Sequence, residues 1–182
     1  MAATKKTDNH FTADKIALRI GMLPDKEVVR VLDVFGGRGV IWRGIKRKTG
    51  RDIRVTSIDK RDDISTMHLH GDNAKVIKGL DLSRFDVIDL DAYGIPADQL
   101  KTVFDSKFVG VVFVTAIQTM NGGMPKLILD SIGLPKETPT SLSAKYGFQH
   151  LLTWIGMHGV KKIRCRSWHR KHYFGFVIND AA

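Results

Sequence analysis

Cysteine is almost missing from this chain: Cys165 is the only one in 182 residues. That excludes an internal disulfide and any metal site built from several thiolates. Long apolar runs are missing too. None approaches the roughly 18 residues that a membrane-spanning helix needs. The opening MAATKKTDNH has no apolar core of a secretory signal. A reducing cytoplasm is therefore the expected compartment, with no membrane partner, and the polar first ten residues are expected to form a frayed tail. Repeats, low-complexity tracts and linkers are also lacking, and the length suits one domain over residues 1–182.

What the chain has in excess is positive charge. Lys and Arg number 29 against 19 acidic residues, a net charge of +10, with a pI near 9.8. Such a domain attracts polyanions by Coulomb forces and counterion release. The partner implied is nucleic acid, RNA ahead of DNA; the bland alternative is a merely solvated basic surface. A hydrophobic fraction of 43% is enough for a core.

Apolar, β-branched runs alternate with longer amphipathic stretches, which predicts parallel strands covered by helices. Strands are expected at Val28–Val34, Ile53–Ile58, Met67–His70, Phe85–Leu90 and Phe108–Thr115. Val160–Arg166 and Tyr173–Ile178 are expected to close the chain as an antiparallel hairpin. Helices are expected at Val40–Lys48 (stopped by Gly50), Ala97–Phe104 and Ser141–Met157. Asn121–Pro139, rich in glycine and proline, is expected to be a long functional loop that covers a site.

Chemistry concentrates at strand ends. The first strand runs into Asp33-Val-Phe35-Gly36-Gly37-Arg38-Gly39, and glycines permit close backbone approach and positive φ. A dinucleotide fingerprint is disfavoured, because position 42 holds Trp where a third glycine is required. The acidic residue beside the glycines also repels a pyrophosphate and suits a cationic or amino-bearing ligand. Asp59, 20 residues after Gly39, ends the second strand, where a carboxylate can grip ribose hydroxyls. Asp72-Asn73 can face an adenine edge or, equally, cap a helix.

The ordered set resembles the class I methyltransferases that use S-adenosylmethionine (AdoMet). Val31–Gly39 is similar to their motif I, Ile58-Asp59 to their ribose-binding acid and Gly71-Asp72-Asn73 to their adenine-binding motif. The resemblance implies a Rossmann-like α/β fold with about seven strands, one antiparallel, and helices on both faces. It implies AdoMet as cofactor, held by Asp33, Phe35, Gly36, Gly37, Gly39, Asp59, Asp72, Asn73 and Asp89. Asp89-Leu-Asp91-Ala92-Tyr93-Gly94 resembles motif IV of amino-methyltransferases, and most nearly the D-L-D-P-Y-G of tRNA guanosine N2-dimethyltransferases, with Ala92 in the proline position. It implies an exocyclic amine as acceptor, held by Asp91 and stacked on Tyr93, with Asp89 facing the cofactor or supporting the strand tip.

Cytosine C5 methylation is disfavoured, because Cys165 lies inside an expected strand, where it reads as a small hydrophobe rather than a nucleophile. Arg38 in the glycine turn, Arg43 and Arg47 in the first basic helix, and Arg166, Trp168, Arg170 and Lys171 in the hairpin mix charge with aromatics as a nucleic-acid contact does. A charged hairpin that discourages edge pairing explains the latter group as well. His169 and His172 are too few for a metal site, and no metal is expected. Two other readings stay open: a methyltransferase of proteins or small molecules, and a non-catalytic module of the same fold that binds nucleic acid or a partner subunit.

Overall fold

The computed structural model describes residues 11–61, 68–117, 123–135, 140–168 and 171–179. The expected N-terminal tail lies outside the described residues. A helix α1 (Thr12–Ile20) precedes β1 (Val28–Asp33), α2 (Val40–Thr49), β2 (Asp52–Asp59) and the two-residue β3 (Leu69–His70). Then come α3 (Asn73–Lys78), a single 3-10 turn (Leu82–Arg84), β4 (Val87–Asp91), α4 (Ala97–Asp105) and β5 (Gly110–Ile117). The chain ends with α5 (Lys126–Ser131), α6 (Thr140–Gly156), β6 (Lys161–Trp168) and β7 (Lys171–Ile178).

Seven strands form one sheet in the order β3-β2-β1-β4-β5-β7-β6. Pairing is parallel from β3 to β5, and β7 runs antiparallel to both β5 and β6. This is the expected sheet. Its central strands β4 and β5 are buried without alternation because both of their faces are covered. Side chains take turns: Val87, Val111 and Phe113 join Val29, Val31 and Ile53 under Ile16 and Leu18 of α1 and Trp42 and Ile45 of α2. Leu32, Ile88, Leu90, Val112 and Val114 face the other way, into a core closed by Ile77 of α3, Leu100 of α4, Ile128 of α5 and Trp154 of α6.

The edge strand β6 is exposed throughout and carries Lys161, Lys162, Arg164 and Arg166. Its register shifts between Lys161 and Arg164, with Lys162 at φ 54°. Charge and a bulge are both devices that blunt an open edge. Cys165 lies in this strand as expected, but its side chain is exposed rather than packed, because an edge strand has no covering layer.

Two helices differ from expectation. α5 lies inside the stretch read as a loop. Met124, Ile128 and Leu129 are buried in the core beneath α4 and α6, so the described part of this segment is drawn into the interior; none of it lines the cavity at the strand tips. Residues 121, 122 and 136–139 of that stretch lie outside the described residues.

The other is α1, which is fastened to β4 by charge. Arg19 and Asp89 are each only 1% exposed, and they form a two-pronged pair: Nε donates to Oδ2 at 2.7 Å and Nη2 to Oδ1 at 2.6 Å. Trp42 Nε1 donates to the same Oδ2 at 2.9 Å. One turn earlier on α1, Lys15 Nζ meets Asp91 Oδ1 at 2.6 Å. Positions i and i+4 of a helix thus meet positions i and i+2 of a strand.

Arg19→Met is expected to lower stability by about 3–5 kcal/mol, since it strands the Asp89 charge in the interior. Urea unfolding checks this. The double variant Arg19→Met with Asp89→Leu is expected to recover most of the loss.

Candidate active site

A cavity of about 440 Å³ opens at the carboxyl ends of β1 and β4. Of the expected site residues, Asp33, Phe35, Gly36, Gly37, Arg38, Gly39, Asp89, Asp91 and Tyr93 line it, joined by Thr12 and Lys15 of α1. Asp59, Asp72 and Asn73 do not line it.

The turn after β1 is held tightly. Gly36 N–H donates to the Ile58 carbonyl at 3.0 Å, and Gly39 N–H to that of Gly36 at 2.8 Å. A Cβ on Gly36 would stand 2.6 Å from Ser57 Cβ, so no larger residue fits between β1 and β2. Gly37 and Gly39 sit at φ 47° and 62°, and Gly39 is the N-cap of α2. Asp59 fixes this turn from behind: Oδ2 accepts from Gly37 N at 3.0 Å, and Oδ1 from Arg61 N at 3.0 Å. Its observed partners are therefore the turn's own backbone and Arg61.

Three carboxylates share the cavity floor. Asp33 and Asp89 are register partners on β1 and β4. Asp89 is saturated by Arg19 and Trp42, so of its two expected roles the structure displays support of the strand tip. Asp33 Oδ1 is buried with no hydrogen-bond partner. Burial first, then the charges of Asp89 and Asp91, push its carboxyl well above the usual range; Arg19 and a backbone hydrogen bond from Phe35 oppose this. Asp91 is the reverse case. Burial alone would raise it, but Arg19 and Lys15 hold it below the usual range.

The turn beyond β4 makes its own adjustment for the absent proline. Ala92 N–H donates to the Leu90 carbonyl at 2.9 Å, a bond that proline cannot make. Gly94 at φ 124° presents its carbonyl to Ile117 N–H at 2.9 Å. Tyr93 stands at the rim, 64% exposed.

Asp72 is a helix cap. Its Oδ1 accepts from Ala74 N and Lys75 N at 3.0 and 3.2 Å, the capping contact expected of it. Asn73 opens α3, with Oδ1 buried and unpartnered.

Arg43 and Arg47 are exposed along α2, and Arg38 is exposed at the cavity mouth. On the hairpin, Trp168 packs on Phe11, which also touches Tyr173, at centroid distances of 5.2 and 6.1 Å. Lys171 Nζ lies 5.6 Å from the Phe11 ring, and Arg166 meets Asp14 at 3.4 Å. A second cavity, of about 260 Å³, is bounded by Phe11, Asp14, Arg166, Ser167, Trp168 and Tyr173. Lys15 links the two, lying 5.0 Å from the Tyr173 ring centre while paired with Asp91. Arg170 and His169 lie outside the described residues; His172 stacks on Phe148. Phe11 and Lys15 border these cavities and Arg19 holds Asp89 beneath one of them, positions that the strand-end motifs do not reveal.

No protein-family model and no curated protein matches the chain. Its shape does find counterparts. An AdoMet-dependent methyltransferase from Archaeoglobus fulgidus is 11% identical with a TM-score of 0.60, over 95% of this chain and 96% of that one. An AdoMet-dependent O-methyltransferase from Thermotoga maritima is 13% identical at 0.60, over 100% and 69%. A proposed rRNA-methylase from Clostridium thermocellum is 14% identical at 0.55, over 93% and 96%. The chain has the class I methyltransferase fold. Within that fold the cavity lined by Asp33 and Asp91 lies at the carboxyl ends of the strands, where open α/β sheets hold their ligands.

Folding keeps Asp33 protonated at pH values where the unfolded chain has released that proton, so this residue makes stability fall as pH rises above the ordinary carboxylate range. Asp33→Asn is therefore expected to gain stability relative to the parent between about pH 4 and pH 8. Unfolding by urea at both pH values checks this; a difference that does not grow with pH contradicts it.

Proposed function

We propose that this protein transfers the methyl group of AdoMet to an exocyclic amine of a nucleic-acid base, in RNA rather than DNA. The observation that carries the reading is the buried, unpartnered Asp33 Oδ1 on the floor of a glycine-edged cavity, with Asp91 and Tyr93 on the adjoining wall. AdoMet is a cation with an amino group and no phosphate, and the residues present fit it. Asp33 offers an empty acceptor, the Gly36–Gly39 turn allows close approach, and Asp59 at the tip of β2 keeps acceptor lone pairs beyond its two backbone contacts. When bound, AdoMet supplies a methyl group on a cationic sulfur, open to in-line displacement.

This chain's own work is then alignment. Asp91, kept ionised by Lys15 and Arg19, accepts the acceptor's N–H and orients its lone pair. The same low basicity makes it a hydrogen-bond acceptor first and a proton carrier second, with the surplus proton passing on to water. The Ala92 hydrogen bond closes the turn that proline would otherwise stiffen, which supports an aimed Asp91 and a working site over a non-catalytic module. Tyr93 at the rim offers a face for a base. The hairpin pocket beside Lys15, with Trp168, Arg166 and Lys171, suits the flanking nucleotides, while Arg38, Arg43 and Arg47 suit phosphates. The fold similarity to a proposed rRNA-methylase points the same way without naming a base.

Labelled methyl from AdoMet, offered with total RNA, DNA and protein in separate reactions, tests this. Label is expected in RNA. Asp91→Asn is expected to lower kcat about a hundredfold, since small misplacements cost that much, with AdoMet affinity within threefold of the parent. Label in protein alone, or an indifferent Asp91→Asn, contradicts the reading.

A further inference from the structure

The sheet face opposite α1 and α2 is apolar under α3 to α6 but changes character at the amino ends of β1 and β2. Leu32 and Ile58 of that face are buried in the core. Arg30 and Arg54, earlier along the same face, are exposed. They are direct register partners of the parallel pair, so their stems stand one strand spacing apart, about 4.8 Å. Like charges side by side on a sheet oppose each other, and parallel sheets ordinarily carry apolar residues on both faces. Folding alone does not call for this pair.

A third arginine converges on it. Arg84, at the end of the 3-10 turn, shares with Arg30 and Arg54 a recess of about 590 Å³, also bounded by Thr56, Leu80 and Phe85. Two carboxylates lie close by, and both are engaged. Asp52 meets Arg54 at 3.0 Å. Asp81, on the wall, accepts from Ser83 N and Oγ at 3.1 and 2.6 Å. Arg30 and Arg84 form no ion pair among the described residues.

We propose that this recess docks the phosphodiester backbone of a nucleic acid. Three guanidinium forks, two of them at fixed strand spacing, match successive phosphate oxygens. Phe85, packed at the edge of the core, gives a base or sugar an apolar surface to lie on. The net charge of +10 supplies the long-range attraction. The recess lies on the other face of the sheet from α1 and α2, and toward the opposite ends of the strands from the cavity lined by Asp33 and Asp91. It therefore serves a ligand long enough to wrap the sheet edge rather than a second small substrate. The proposal does not depend on methyl transfer.

Fluorescence anisotropy with a labelled single-stranded RNA, over a series of salt concentrations, tests it. The variant Arg30→Gln/Arg54→Gln/Arg84→Gln is expected to bind about tenfold more weakly near 0.1 M salt. Its slope of log K against log salt is expected to shrink by about 2, at roughly 0.7 for each phosphate no longer neutralised. The matching triple lysine variant is expected to keep the slope. Circular dichroism and AdoMet binding report whether the variants fold; should the triple glutamine variant fail to, Arg84→Gln alone is expected to shrink the slope by about 0.7. Parental affinity and slope in the glutamine variants, or no RNA binding by the parent, overturn the proposal. Loss of labelled methyl transfer with RNA binding intact would count against the proposed reaction and not against this site.

Discussion

The buried pair of Arg19 and Asp89 is the interaction on which the rest of the site depends. A carboxylate and a guanidinium that are both 1% exposed survive in the interior only because the geometry is two-pronged and a third donor, Trp42, uses another lone pair. The pair binds the N-terminal helix, the first crossover helix and the central strand into one unit. It also fixes where Lys15 falls, and with it the charge state of Asp91. The floor of the cavity is thus set by a contact that touches no ligand.

Charge balance explains the rest of the pocket. Three carboxylates, Asp33, Asp89 and Asp91, face two cations, Arg19 and Lys15. Asp89 and Asp91 take both, and Asp33 is left with a backbone hydrogen bond from Phe35 and one unpartnered oxygen, its carboxyl pushed well above the usual range. If Asp33 ionises, the pocket is one positive charge short. A cationic ligand would supply it, so the cation that the proposed reaction requires is favoured by helix α1 as much as by the glycine turn.

Much of this was legible in the sequence, for physical reasons that differ by element. The central strands announce themselves as apolar runs because both faces are buried, and the glycine turn because a positive φ and close packing on Ser57 leave little choice. The hairpin shows in two β-rich runs flanking a charged turn. Helix α1 is harder to see: its buried face includes Arg19, a residue that sequence patterns assign to solvent. Its i, i+4 pairing with the Asp89-x-Asp91 spacing becomes meaningful only once β4 and α1 are adjacent. α5 is hidden because six residues between Pro125 and Gly133 carry too few turns for a helical period. Asp72 was balanced between two readings, and the hydrogen bonds to Ala74 and Lys75 show the cap.

The most direct measurement is calorimetric titration of AdoMet into the protein near pH 5, about one unit above the ordinary carboxylate range, repeated in two buffers of different ionisation enthalpy. The account predicts stoichiometric binding with a net release of up to about one proton, as Asp33 ionises beside the incoming cation. Absence of binding, or binding whose heat is the same in both buffers, would contradict it.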